Sequence, residues 1–161
     1  MNNVMIFVYK TFLTVVGVAL FARIDRAKNS VTLASCICGI TAFVISEILI
    51  HWLGSGFIMY FISAAVVCFL AEIGARLIRV PVTVILLPAI IPLVPGSLLY
   101  STMKALMSGN VLWYSDYGKE AIGATAGIGV AIVFVSATAR VIYGVCSRII
   151  VKYKKLLRRN A

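Results

Sequence analysis

The sequence predicts an all-α integral membrane protein of about five transmembrane helices, the fourth broken at a Pro-Gly motif near the midplane. Three observations predict it. Hydrophobic residues make up 62% of the chain and charged residues 12%, with a mean hydropathy of +1.06. A soluble domain carries about a quarter charged residues. The apolar residues also gather into stretches near the ~20 residues that span a bilayer. Finally, Pro81, Pro88, Pro92 and Pro95, the chain's four prolines, all fall in one such stretch, PVTVILLPAIIPLVPGSLLY at 81–100.

Five apolar segments follow in order, roughly 4–22, 31–50, 55–78, 82–107 and 119–146, before a basic tail at 147–161. Short connections make residues 1–161 a single membrane domain. The first segment has no basic region before its apolar run and is interrupted by Lys10, so no cleaved signal peptide is expected. The second ends in HWLGSG at 51–56, which lacks Lys and Arg. The third ends at Arg76 and Arg79. The fifth carries small residues at Gly123, Gly127 and Ala131, a stripe that lets another helix pack closely.

Basic residues set the orientation. Arg23, Arg26 and Lys28 mark the first loop as inside, and Arg76 and Arg79 mark the third. Arg148, Lys152, Lys154, Lys155, Arg158 and Arg159 mark the tail as cytoplasmic. The N-terminus is then outside, and the fourth segment must cross fully rather than dip and return. Trp52, Trp113, Tyr114 and Tyr117 read as an aromatic belt at the outer boundary, with Asp116, Lys119 and Glu120 solvated in the last outer loop.

Charge and motifs exclude several functions. The net charge of +10 reads as a topology signal and as attraction to anionic lipid, not as a nucleic-acid surface. Cys36, Cys38, Cys68 and Cys146 lie in apolar segments without zinc-type His partners and read as small buried hydrophobes. There is one His and neither H-E-x-x-H nor GxGxxG, so no enzyme, metal or cofactor is expected.

The proline stretch carries the functional reading. Pro88, Pro92 and Pro95 remove the N–H partners of the carbonyls of Val84, Pro88 and Ile91. Gly96 lets the chain turn and lets another group approach its backbone. A second half-helix should start at Gly96 or Ser97, its free amides and positive dipole end forming a site for a carboxylate. The freed carbonyls suit an ammonium or a cation. Ser97, Tyr100, Ser101 and Lys104 share one face of that half-helix. The bland alternative is a kinked helix whose hydroxyls bond back to its own carbonyls.

Five further residues are candidates for proton coupling or gating. Lys10 and Glu47 sit at comparable depth near the outer ends of spans 1 and 2, and His51 lies one turn beyond Glu47. They read as a proton relay or outer gate, or as a snorkelling lysine and interfacial polar groups. Glu47 is the best single coupling carboxylate. Glu72 and Arg76 form an i,i+4 pair at the inner end of span 3, read as a solvated pair with an inner gate as the alternative. Arg140 reads as snorkelling.

The block AEIGARLIRVPVTVILLPAIIPLVPGSLLYSTMKALMSGN at 71–110 resembles the threonine/serine exporter (ThrE) family, in particular its small separate-chain half, the YjjB-like type. The likeness rests on Ala75, Arg76 and Pro81, on the P-L-V-P-G core at Pro92–Gly96, on Tyr100 and Met103, and on the Gly109 turn. It extends more weakly over roughly 12–148. The first loop, FARIDRAK, departs from it by lacking a proline. The resemblance implies an export permease subunit of the bacterial inner membrane. It would move threonine, serine or succinate, be proton-coupled, and work with a larger companion membrane chain and possible further copies of itself. The competing expectation is a non-transporting assembly or regulatory subunit. A reporter fused to the C-terminus should be active only in the cytoplasm and one at the N-terminus only outside; the opposite pattern contradicts the charge reading.

Overall fold

The computed structural model describes the backbone of residues 3–24 and 27–159, and the side chains of residues 5–24 and 27–142. Arg26, Cys146 and the basic side chains of the tail lie outside the described residues. Six helices follow one another: α1 Asn3–Ile24, α2 Asn29–Leu53, α3 Phe57–Ile78, α4 Val82–Ile90, α5 Gly96–Met107 and α6 Val111–Arg159. One turn of 3-10 helix, Ile91–Leu93, extends α4.

The first three helices form because their apolar runs hold no proline. At 1.5 Å per residue they are roughly 33–37 Å long, enough to cross a ~30 Å hydrocarbon layer. Gly54 at φ 74° ends α2, its N–H donating to Ile50 O at 3.1 Å. Arg79 adopts the left-handed conformation, φ 60°, after α3, and Val80 N–H closes the turn onto Ala75 O at 2.9 Å. Gly109 at φ 69° does the same after α5, where Asn110 N–H reaches Ala105 O at 3.1 Å.

The fifth predicted span starts earlier than expected, at Val111 rather than 119. Asn110 Oδ1 accepts from Trp113 N–H at 3.3 Å, capping the helix, and no proline follows to interrupt it. Asp116, Lys119 and Glu120 therefore ride on α6 instead of a loop. Glu120 accepts a hydrogen bond from Ser55 Oγ at 3.2 Å, tying α6 to the α2–α3 connection.

The core lies where α4 packs against α1, α2 and α3. Its walls are mostly small: Ala42, Ala64, Ala71, Ala75 and Ala89 are fully buried around Val67, Ile85 and Leu93. Small side chains let membrane helices approach closely. Cys38 and Cys68 fill this core as expected, and Cys36 is half-buried. The Gly123–Gly127–Ala131 stripe of α6 meets α3: a Cβ at Gly127 would lie 2.6 Å from Phe57 O and 3.1 Å from Phe61 N.

The fourth span is broken as predicted. Val82–Leu93 and Gly96–Met107 meet at a 50° bend. Counted as one span, the bent pair brings the helices long and apolar enough to cross a membrane to five among the described residues. The break is central in its own segment, but its neighbours place it nearer one end of the bundle. It stands beside Ser46, Glu47 and Ile50 of α2 and Met59 and Tyr60 of α3, within two turns of Leu53 and Phe57. Past the break, α5 packs along α6, with Leu99 beside Ala121, Ile122, Thr125 and Ala126.

Gly127→Ala should lower thermal stability in detergent by about 1–3 kcal/mol through overpacking against the α3 backbone. Gly123→Ala, whose Cβ would meet Phe57 N at an ordinary 3.7 Å, should be neutral or slightly stabilising.

Candidate functional site

The backbone of the break comes first. Pro95 cannot donate to Ile91 O, which was expected to stand open. The 3-10 turn answers it instead, Val94 N–H donating at 3.1 Å. Val94 is then extended, ψ 123°, and Gly96 N–H turns back to Val94 O at 2.7 Å. Leu99 N–H closes the first turn of α5 onto Pro95 O at 3.0 Å. Between them, the amides of Ser97 and Leu98 donate to no backbone carbonyl among the described residues, and no side chain caps α5. Two N–H groups at the positive end of a helix are thereby left over.

Gly96 plays a different part from the one expected. Its φ lies outside the left-handed range, so the turn does not demand glycine. A Cβ there would meet nothing within 4 Å. What Gly96 contributes is open space beside the free amides.

That space adjoins a cavity of about 140 Å³ lined by Ser46, Glu47, Tyr60, Pro92, Pro95 and Ser97, among others. A cavity of that size has room for several waters. Glu47 Oε1 accepts from Lys10 Nζ at 3.1 Å. On the α1 side, Glu47 and Lys10 line a second cavity of about 190 Å³ with Ile6 and Phe7. One carboxylate thus stands between a lysine and a broken helix end.

The structure joins two groups that the sequence left apart, Lys10 with Glu47 and the break at Pro92, Pro95, Gly96 and Ser97. It does not bring in the rest of the α5 face. Tyr100 is 70% exposed; Lys104 is exposed and Ser101 half-buried, and none of the three lines the cavity. The spacing does put them on one stripe, but each turn of α5 carries that stripe about 5.4 Å further from the break. His51 is exposed and also lies off the cavity. Glu72 and Arg76 pair at 3.0 Å toward the other end of the bundle, where the Glu72 side chain is only 12% exposed. Its partner Arg76 is 43% exposed, so the pair keeps one side open. Sequence reasoning missed Ser46 and Tyr60; the signal available was a lone tyrosine one turn inside an otherwise apolar span.

A multi-pass all-α membrane protein with a discontinuous helix, whose broken end shares a cavity with an acidic side chain, has the architecture of a membrane transport protein. The profile of the family described as "Threonine/Serine exporter, ThrE" matches residues 8–138, and the chain belongs to that family. No curated protein and no solved structure matches the chain.

Replacing Gly96 by Ala should leave thermal stability within about 0.5 kcal/mol of the parent. Leu93→Ala, at a side chain 2% exposed, should lose about 2–5 kcal/mol.

Proposed function

We propose that the chain is the small half of a two-chain exporter of the bacterial inner membrane and that the cavity at the break holds the solute. In this reading it works with a larger companion chain, its N-terminus outside and its C-terminus cytoplasmic. It carries threonine, serine or a related small carboxylate and performs no chemistry on it. The observation that carries the reading is the cavity shared by Glu47 and the open end of α5.

The chemistry follows from charge. An amino acid presents a carboxylate and an ammonium. The Ser97 and Leu98 amides suit the carboxylate, and Glu47 suits the ammonium if it lets go of Lys10. Hydroxyls at Ser46, Tyr60 and Ser97 suit a side-chain hydroxyl. Proton coupling uses the same carboxylate: a proton arriving from outside neutralises Glu47, removes the charge that holds the ammonium, and favours release outward. A dicarboxylate fits only while Glu47 is protonated, because its second carboxylate would otherwise face a like charge.

Solute uptake into vesicles carrying this chain and the companion tests the reading. Glu47→Gln should abolish the response to a pH gradient and cut gradient-driven flux at least about tenfold, since a neutral amide cannot cycle a proton. Pro92→Ala with Gly96→Leu should stop transport while the two chains still co-purify. Unchanged flux in both variants would instead favour a non-transporting assembly subunit.

A further inference from the structure

At the end of the bundle opposite Glu47, a crevice of about 530 Å³ opens between α3, α4 and α6. Its walls are apolar, from Val82, Leu86 and Ile132 among others, but four polar side chains line it: Glu72, Thr83, Ser136 and Arg140. Ser136 and Arg140 are one turn apart and share a face of α6. Glu72 is held by Arg76 and is almost covered. Arg140 forms no ion pair or hydrogen bond among the described residues.

The hydroxyls are also unspent. Every other threonine of the chain donates to the carbonyl four residues earlier: Thr11, Thr14, Thr32, Thr41, Thr102, Thr125 and Thr138. Thr83, at the second position of α4, has no helical carbonyl four residues back, and neither it nor Ser136 makes a side-chain hydrogen bond among the described residues. An unpaired guanidinium, a carboxylate and two uncommitted hydroxyls in one apolar-walled crevice are the complement of a small zwitterion.

We propose that this crevice is a second solute site, at the inner end, for an α-amino acid with a short polar side chain. Arg140 takes the carboxylate through its planar fork. Glu72, which can accept from more than one donor, takes the ammonium beside Arg76. Thr83 and Ser136 are placed for the side chain. Arg140 therefore does more than reach for the membrane surface. A lipid phosphate shares the oxyanion chemistry, but it would lie against the Glu72 carboxylate, a like charge. The role in loading the exporter rests on the transport reading above; binding does not.

The test is solute protection of Ser136→Cys against a maleimide, measured with the full chain in nanodiscs of neutral phosphatidylcholine and corrected for alkylation of the parent. L-threonine should slow labelling severalfold. Arg140→Gln should raise the half-protecting concentration about tenfold or more, as expected on losing a charge-assisted hydrogen bond, with Arg140→Lys intermediate. Glu72→Gln should weaken protection by threonine more than protection by a carboxylate lacking the ammonium. Glu47 is remote from the crevice, so Glu47→Gln should leave protection intact; unchanged transport in that variant, with protection retained, would sink the exporter mechanism and spare this site. Failure of threonine to protect overturns the proposal. So does protection by phosphatidylglycerol nanodiscs without threonine, which would assign the crevice to a lipid headgroup.

Discussion

A peptide N–H that has no carbonyl to reach cannot be left in hydrocarbon, where each unmet group costs roughly several kcal/mol. The architecture around residues 91–99 follows from that constraint. The 3-10 turn supplies Ile91 O with Val94 N–H, and Gly96 N–H folds back on Val94 O. Ser97 and Leu98 remain, and Ser97 lines the cavity it shares with Glu47. Buried Pro95 and Leu93 hold the break against α2 and α3, so its ends stay within the bundle.

The charged groups give this site a direction. Glu47 stands six residues before the end of α2, and Glu72 six residues before the end of α3. The two helices run antiparallel, so the carboxylates mark opposite ends of the bundle. Glu47 is paired across helices with Lys10, which movement between α1 and α2 would separate. Glu72 is paired within its own helix with Arg76, a contact that survives such movement. The close approach of Gly39 to Val18, where a Cβ would lie 2.8 Å from Cγ2, fixes the α1–α2 crossing away from Glu47. A hinge there would leave the Lys10–Glu47 pair as the contact that changes.

Much of the fold was legible because membrane helices announce themselves through uninterrupted apolar length, and breaks through proline. Spans 1 to 3 and the start of α5 fall close to where the apolar runs and Pro95–Gly96 put them. The start of α6 did not, because Asp116, Lys119 and Glu120 resemble a loop until Asn110 is recognised as a cap. The site was half legible. Pro92, Pro95, Ser97, Glu47 and Lys10 were each marked by residue type, but their union depends on how α4 sits between α1, α2 and α3, which no local pattern encodes. Periodicity puts Tyr100, Ser101 and Lys104 on one stripe with Ser97, but the three do not line the cavity. That Arg140 and Glu72 line one crevice was not legible either, because the two are far apart in sequence.

The most direct test of the central claim is residue-resolved amide hydrogen exchange of the full chain in nanodiscs. Open amides at the break predict that Ser97 and Leu98 exchange at least about a hundredfold faster than Leu86 and Ala89 in the packed α4, and that solute slows them. Exchange at Ser97 and Leu98 as slow as in α4, with no response to solute, would mean that the helix end is closed and would contradict the account.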